Sequence, residues 1–271
     1  MKPADSKKAL ACAVLAARRA GQLMRENQGA VKTVNSQSAH DIKLELDVQC
    51  QKLIEKTLLT DYPTAALMGE EGLAGDANSD LRWVVDPIDG TVNFTYGIPH
   101  ACVSIALQER VAGSFSTVVG VVYDPFCDEI WTAIRGQPAR LNDRPIHVSQ
   151  RRELRECVVS IGFAKDAESL RLNLPVFNDL VGRVLKIRMM GAAALALVYV
   201  ASGRFDAYIE SGIYLWDIAA GGLILQCAGG EFWHRPRASG PKFEMLANNG
   251  LVRHKIQARA KLARAAALCN Q

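Results

Sequence analysis

The chain has 271 residues, of which 49% are hydrophobic and 22% are charged, and its formal net charge is +4. This length and balance are typical of one large globular unit or of two closely joined halves, and they exclude a disordered or fibrous chain. The mild charge, without a long run of Lys and Arg, argues against a dedicated nucleic-acid arm.

The predicted elements of the first half are two helices followed by strands. Apolar residues at steps of three and four predict a helix over residues 8–26. A second helix follows Asp47 and ends before Pro63, because proline cannot continue a helix. Short runs of β-branched residues then predict strands at residues 83–85, 102–107, 117–123 and 129–133.

Helices and strands alternate in the second half, a pattern typical of α/β architecture. The strands are predicted at residues 157–161, 184–189 and 205–209, and the helices at 168–182, 192–202 and 217–227. We therefore expect an α+β half over residues 1–150 and an α/β half over residues 151–271. The boundary is placed only by the change of pattern.

The cysteines and the apolar runs predict a location. Seven scattered cysteines contain no Cys-x-x-Cys pair, which favours a reducing compartment over a zinc or redox site. The polar start of the chain does not resemble a signal peptide, and no apolar stretch of about 20 residues follows. We expect a cytoplasmic protein without a membrane partner.

The most informative segment is Trp-Val-Val-Asp-Pro-Ile-Asp-Gly-Thr-Val-Asn-Phe at residues 83–94, an apolar strand that leads into two aspartates. Pro87 fixes φ and Gly90 accepts either sign of φ, which predicts a rigid turn presenting Asp86 and Asp89. Mg²⁺ prefers such oxygen ligands together with substrate phosphate oxygens. If Gly90 opens a helix, the backbone N–H groups there would face an anion. The alternative is an ordinary surface turn, since Asp, Pro and Gly dominate turns.

Two further acidic features favour the metal site. Glu70 and Glu71 stand between two glycines directly after an apolar run, where their mutual repulsion would be offset by a cation. Asp217 follows a tryptophan and precedes a strongly apolar helix, although it could instead be the N-cap of that helix.

With these motifs the sequence resembles the inositol monophosphatase family from about residue 41 to residue 248. The resemblance rests on three ordered motifs: Gly-Glu-Glu at 69–71, the segment 83–94, and Trp-Asp-Ile-Ala-Ala-Gly at 216–221. It implies a layered αβαβα sandwich of the sugar-phosphatase type. It also implies a lithium-sensitive, Mg²⁺-dependent phosphatase, and family members are commonly homodimers.

The resemblance also implies roles for individual residues. The metal ligands would be Glu70, Asp86, the Ile88 carbonyl, Asp89 and Asp217, holding two ions and, near Glu70, a weaker third. The substrate contacts would be Ile88, Asp89, Gly90, Thr91, Gly191, Ala192, Ala193, Glu210 and Asp217. A metal-bound water would attack phosphorus, oriented by Glu70 and Thr91, and Asp47 would accept a hydrogen bond from Thr91.

The sequence departs from the family pattern in four places. Leu44 and Ala192 stand where the family has Thr and Ser or Thr, respectively, and Ser36 stands where it often has Lys, although Lys32 could reach the same region. Residues 231–242 replace the usual Asp-bearing turn. None of these changes touches the four carboxylates, so they bear on the substrate.

The expected substrate is inositol 1-phosphate or a related phosphorylated polyol. Histidinol phosphate, fructose 1,6-bisphosphate and a 3′-phosphonucleotide remain open, although the acidic Glu210 suits a hydroxyl better than a second phosphate. An alternative from another class is a non-catalytic regulatory protein that applies its basic C-terminal helix, residues 253–264, to an acidic partner. Nucleic acid is not the expected partner of the enzyme.

Overall fold

A computed structural model describes residues 3–29, 34–37, 42–164, 166–238 and 240–257. Its elements form five layers, alternately helical and sheet. Within the described residues, no helix is both long enough and apolar enough to cross a membrane.

Two long helices form the first layer. They are α1 (Pro3–Glu26) and α2 (Glu45–Asp61), and the short strands β1 (Val34–Gln37) and β2 (Ile42–Leu44) pair with each other between them in the chain. Small side chains such as Ala13, Ala17 and Ala20 line the inner face of α1 and are fully buried. They let α1 pack closely against α2 and the first sheet in one apolar cluster.

The second layer is an eight-stranded sheet. Its strands are β3 (Ala66–Gly69), β4 (Gly72–Gly75), β5 (Leu81–Asp89), β6 (Cys102–Val111), β7 (Ser114–Asp124), β8 (Glu129–Ile134), β9 (Arg140–Leu141) and β10 (Arg144–Pro145), and the short helix α3 (Thr91–Thr95) follows β5. Their order is β10-β9-β8-β7-β6-β5-β3-β4. Only β3 and β5 pair in parallel among these strands. The central strands are buried on both faces, as their continuous apolar runs predict.

The remaining layers are built by the second half of the chain. The helices are α4 (Ala167–Leu180), α5 (Ala193–Ala201), α6 (Leu215–Cys227) and α7 (Arg253–Gln257). The strands are β11 (Val158–Ile161), β12 (Lys186–Arg188), β13 (Ala207–Ile213), β14 (Glu231–Pro236) and β15 (Phe243–Asn248), in the order β12-β11-β13-β15-β14. α5 and α6 lie between the two sheets, and α4 packs on the outer face of the second one. The predicted αβαβα sandwich is confirmed.

Three details differ from the sequence-based predictions. β5 continues through both aspartates, with a break in its register against β6 between Asp86 and Asp89, so the carboxylates lie on an irregular strand end and the turn begins at Gly90. α6 begins at Leu215, before Asp217. The segment that departs from the family pattern forms β14, which pairs antiparallel with β15. The division near residue 150 stays a prediction.

Candidate metal centre and substrate cavity

Three carboxylates converge where β5 meets α6. One oxygen of each of Asp86, Asp89 and Asp217 lies within 4.8 Å of the others. Asp86 and Asp89 are almost fully buried, with only 2% and 6% of their surface exposed. Several carboxylate oxygens in one small buried volume are the ligand set that a hard divalent cation requires.

The chain around Asp86 is held by short-range hydrogen bonds. The Ile88 N–H donates to Asp86 Oδ1 at 3.0 Å, and the Thr91 hydroxyl donates to the Ile88 carbonyl at 2.9 Å. The expected hydrogen bond from Thr91 to Asp47 is therefore replaced, because the hydroxyl has one proton and Ile88 accepts it. Asp47 Oδ2 instead accepts the Leu44 N–H at 2.7 Å. This bond to the backbone of Leu44 caps the start of α2.

Gly90 makes the turn after the carboxylates possible. Its φ of 92° lies in the left-handed region, and a Cβ there would come within 3.0 Å of the His100 carbonyl and 3.2 Å of the Gly191 carbonyl. The turn thus brings the backbone of the first half against that of the second half. Gly90 and Thr91 begin α3 beside the carboxylates.

Asp89 joins the eight-stranded sheet to α5. Its two oxygens accept the N–H groups of Ala193 and Ala194 at 2.9 and 2.7 Å, and the Cys102 thiol donates to it at 3.5 Å. The first turn of a helix has free N–H groups and favours negative charge. The Ala193 N–H, expected to face substrate, therefore orients Asp89 in this structure.

Asp217 is held by its own helix. It is the third residue of α6, and its Oδ2 accepts the Tyr214 N–H at 2.8 Å. The sequence left open that Asp217 is the N-cap residue of the helix. In the structure it does cap the helix, but from the third helical position, and Tyr214 is the N-cap residue. This hydrogen bond fixes the side chain with one oxygen while the carboxylate remains part of the cluster.

Glu70 lies in the turn between β3 and β4, and Gln51 of α2 supports that turn. Gln51 Oε1 accepts the Glu71 N–H at 2.9 Å, and Gln51 Nε2 donates to the Gly72 carbonyl at 3.3 Å. A Cβ at Gly69 would overlap the Gln51 amide, so the glycine is required there. Sequence reasoning missed Gln51, although a polar residue on the apolar stripe of a helix was a visible signal.

The electrostatics of the cluster favour a bound cation. Burial, followed by repulsion from Glu70 and Asp89, raises the pKa of Asp86 well above its ordinary value. Burial and the charge of Asp89 do the same for Asp217, and burial raises the pKa of Asp89 to about 6. Without metal, protons offset this repulsion. A divalent cation would replace them, so metal affinity should rise with pH.

These shifts predict how stability depends on pH. A folded-state pKa of about 6 for Asp89, against 3.8 for an ordinary aspartate, means that the folded chain binds protons more tightly than the unfolded one. The contribution of Asp89 protonation to the free energy of unfolding is therefore present at low pH, and it is lost as pH rises through the folded-state pKa. In EDTA the melting temperature should fall from about pH 5 to about pH 7, and Mg²⁺ should restore it at the higher pH. A metal-free melting temperature that rises over this interval would contradict the assignment.

A cavity of about 390 Å³ opens from the carboxylates toward β13. Its lining includes Asp89, Asp217, Gly191, Ala192, Ala193 and Glu210. The Tyr208 hydroxyl donates to Glu210, and burial raises the pKa of Glu210 to about 7. A Cβ at Gly162, which follows the neighbouring strand β11, would overlap the Glu210 carboxylate. The second half of the chain thus supplies most of the lining of this cavity, including residues 191–193 and Glu210.

Arg237 fixes the wall behind Glu210. It comes from the segment that departs from the family pattern, its side chain is 3% exposed, and it pairs with Asp166 at 3.3 Å. It donates to the hydroxyls of Ser169 and Ser211 at 2.6 and 2.7 Å. Arg237 therefore ties the start of α4 to β13, a role that no local sequence signal indicated.

The comparisons with known proteins agree with this geometry. The sequence model of the inositol monophosphatase family matches residues 5–271. The chain belongs to the inositol monophosphatase family. Members of this family are metal-dependent phosphatases, and the carboxylate cluster described above could hold the metal.

The relatives carry two kinds of name. The chain is 42% identical to the Nus factor SuhB of Pseudomonas aeruginosa over 80% of its own length and 82% of the relative. It is 38% identical to the inositol monophosphatase of Mesembryanthemum crystallinum, over 90% and 92% of the two chains. The solved SuhB of Bartonella henselae has a TM-score of 0.84 at 34% identity and covers 92% and 97% of the chains.

Phosphorylated ligands are bound by more distant family structures. A staphylococcal inositol monophosphatase, SaIMPase-II, is solved with inositol monophosphate at 25% identity and a TM-score of 0.73, over 95% of each chain. It is also solved with 2′AMP at 26% identity and a TM-score of 0.76, over 97% and 96%. Family members thus bind both a polyol phosphate and a nucleotide.

Proposed function

We propose that this protein is a Mg²⁺-dependent phosphatase that hydrolyses a small phosphomonoester, with inositol 1-phosphate as the leading substrate. The observation that carries the proposal is the convergence of Asp86, Asp89 and Asp217 within 4.8 Å, two of which, Asp89 and Asp217, line a cavity. Family membership supports the reaction class.

The residues present fit two or three Mg²⁺ ions. The buried carboxylates repel one another, and no Lys or Arg is among the groups that shift the pKa of Asp86 or Asp217 most. Oxygen is also the donor type that Mg²⁺ prefers. We assign Glu70, Asp86, the Ile88 carbonyl, Asp89 and Asp217 as ligands. When bound, Mg²⁺ would neutralise phosphate charge and lower the pKa of a water.

The chain itself would bind and orient the reactants. In our proposal, the backbone at Gly90 and Thr91 binds the phosphate, because the irregular end of β5 presents this backbone beside the carboxylates. Glu70 accepts a proton from the attacking water, and the Thr91 hydroxyl orients that water. Asp47 supports the site through α2, whose start it caps, and not through Thr91.

The cavity beyond the carboxylates suits an uncharged, hydroxyl-bearing group. Glu210, with a pKa of about 7, can accept a hydrogen bond from a substrate hydroxyl or, when protonated, donate one. In its ionised form Glu210 would repel a second phosphate. This arrangement favours a polyol monophosphate over a bisphosphate. Ala192 offers no hydroxyl of its own.

A substrate panel tests the proposal. With Mg²⁺, the purified protein should release phosphate from inositol 1-phosphate faster than from histidinol phosphate, fructose 1,6-bisphosphate or a 3′-phosphonucleotide. Lithium should inhibit the reaction. Release from none of these substrates would overturn the proposed function, whereas a faster reaction with another member of the panel would replace only the substrate.

Substitution at Gly162 tests the role of Glu210. In Gly162→Ala the new methyl would displace the Glu210 carboxylate, so KM for a polyol phosphate should rise by about tenfold, the effect of losing one charged hydrogen bond. Gly182→Ala is the matched control, since a Cβ there meets nothing within 4 Å. Equal KM values for the two variants would remove Glu210 from the substrate site.

We also propose a homodimer. Leu174, Val181, Leu185 and Met189 lie on or beside α4 and β12 with 46–62% of their surfaces exposed. Exposed apolar residues grouped in this way mark association surfaces. Sedimentation should give twice the monomer mass, and Leu185→Glu should halve it. A wild-type chain that sediments as a monomer would overturn this proposal.

We infer a cytoplasmic location. The cysteines in the described part of the chain are free thiols, and burial holds the pKa of Cys50 at about 12. Four of them are buried, whereas Cys127 is exposed. Reducing compartments keep exposed thiols of this kind unpaired.

The second candidate function is regulatory, in the sense of the relatives named Nus factor SuhB. The basic C-terminal segment predicted to serve it is described only through residue 257, where Arg253 and Lys255 pair with Glu231 and Glu153. Salt-sensitive RNA binding that survives Asp86→Asn would support this role independently of catalysis. RNA binding that is lost together with turnover would not.

A further inference from the structure

A second cavity of about 390 Å³ lies against α6 on the side away from the carboxylates. Leu215, Ile218, Ala219 and Leu223 of α6 line it. At about 100° per residue, these side chains cluster on one face of the helix, and Asp217 projects from the opposite face. The two cavities share no lining residue. This second cavity is therefore structurally separate from the candidate metal centre.

Two arginines make the second cavity basic. Arg82 and Arg135 line it, and its described lining contains no aspartate or glutamate. Within the described ranges, neither guanidinium forms an ion pair; Arg82 Nε donates to Gln108 at 2.8 Å. The Arg82 and Arg110 guanidinium groups lie 3.8 and 4.6 Å from the centre of the same Phe115 ring.

Arg82 lies close to a second cation, Arg110, and an anion beside it would reduce their repulsion. Burial and the charge of Arg110 lower the pKa of Arg82. Arg110 has a carboxylate, since it pairs with Asp80 at 3.6 Å, whereas Arg82 has only the neutral Gln108 amide. An anion between Arg82 and Arg135 would supply the counter-charge and would accept the donors that both guanidinium groups leave unused.

Flat rings also line the second cavity. Phe232 and Phe243 flank His234, with ring centroids 5.1 and 5.5 Å from the imidazole, and the Phe115 ring lies beside Arg82. The volume lies in the range of about 300–1,000 Å³ that small-molecule sites occupy. Aromatic side chains offer stacking surfaces to a planar group. A simple inorganic anion would leave these surfaces unused.

We propose that this cavity is a second binding site, for a small anion that carries a flat ring. Arg82 and Arg135 would pair with its phosphate or carboxylate, and the aromatic side chains would contact its ring. The ligand would touch the helix that carries Asp217 without reaching Asp217 itself. The site is independent of the proposed phosphatase activity.

Calorimetry in EDTA tests the proposal, with AMP and phenyl phosphate as probes. EDTA removes the metal that would bind phosphate at the carboxylates, so anion binding there is disfavoured. AMP or phenyl phosphate should bind the wild type. Inorganic phosphate, which lacks the ring, and adenosine, which lacks the phosphate, should each bind at least about tenfold more weakly. Absence of binding by both probes at millimolar concentration would overturn the proposal.

Charge variants locate the binding. Arg135→Gln should weaken AMP or phenyl phosphate by about tenfold, because one charged hydrogen-bond donor is lost. Arg144→Gln removes an exposed arginine outside the second cavity and should leave binding unchanged. Arg135 is exposed, so the variant should fold, and circular dichroism would verify this. Equal affinity in the two variants would place the ligand elsewhere and overturn the proposal.

Discussion

Asp86→Asn is expected to reduce Mg²⁺-dependent phosphate release by about a thousandfold or more, because metal ions supply several kcal/mol of transition-state stabilisation. Asp86 is the member of the cluster whose pKa is raised by Glu70, Asp89, Asp217 and Asp47 after burial itself. An amide in its place would remove one of the negative charges that a divalent cation at the cluster needs. Steady-state phosphate release measures the loss.

The same substitution is expected to stabilise the metal-free protein. Asparagine keeps the Oδ1 acceptor for the Ile88 N–H but carries no charge, so the repulsion within the cluster falls. The free energy of unfolding in EDTA should rise by about 1 kcal/mol at neutral pH, a gain typical of removing strain from an active site.

The matched control is Asp80→Asn, since Asp80 is 78% exposed and pairs, among the described residues, only with Arg110. It should change neither turnover nor metal-free stability by a measurable amount. Wild-type turnover in Asp86→Asn would contradict the metal assignment. A strong loss of metal-free stability would show that Asp86 serves the fold.

Arg237→Met is expected to lower the free energy of unfolding by about 1–3 kcal/mol, the range for leaving buried polar groups without a hydrogen-bond partner. The substitution keeps the apolar stem but removes the charge from a side chain that is 3% exposed. Asp166 is 37% exposed and would keep Lys242 as a partner. The buried hydroxyls of Ser169 and Ser211 would lose a donor. Denaturant unfolding measures the change.

The control for this prediction is Lys255→Ala. Lys255 pairs with Glu153 at 2.8 Å, but both side chains are about half exposed, so denaturant unfolding should show no measurable change. A folded Arg237→Met variant should also have a raised KM, since Arg237 holds β13 behind Glu210. If Arg237→Met were as stable as Lys255→Ala, the segment would have no structural role.

Much of the architecture could be predicted because its signals are local. Periodic apolar residues located α1 and α2, and β-branched runs located the central strands of the first sheet. Boundaries were less certain: β5 extends to Asp89 because the Asp-Pro-Ile-Asp segment still pairs irregularly with β6. Helix α6 starts before Asp217 because Tyr214 is capped by that carboxylate.

The site was predictable only where its residues lie in one motif. Asp86 and Asp89 followed from the chemistry of a single segment, but Asp217 joined them through the family resemblance. The contacts of Asp89 with Ala193 and Ala194 span 104 and 105 positions and have no local signal. The hydrogen bond from Arg237 to Ser169 likewise has no local signal in the sequence. The same holds for Arg82 and Arg135, which only the folded chain brings together beside α6.

The central claim is that the acidic cluster holds Mg²⁺ for phosphomonoester hydrolysis, and phosphate release from inositol 1-phosphate as a function of Mg²⁺ concentration tests it most directly. We predict no release in EDTA and a saturable rise as Mg²⁺ is added to the wild type. Release that is equally fast in EDTA, or no release from any member of the substrate panel at any Mg²⁺ concentration, would contradict it.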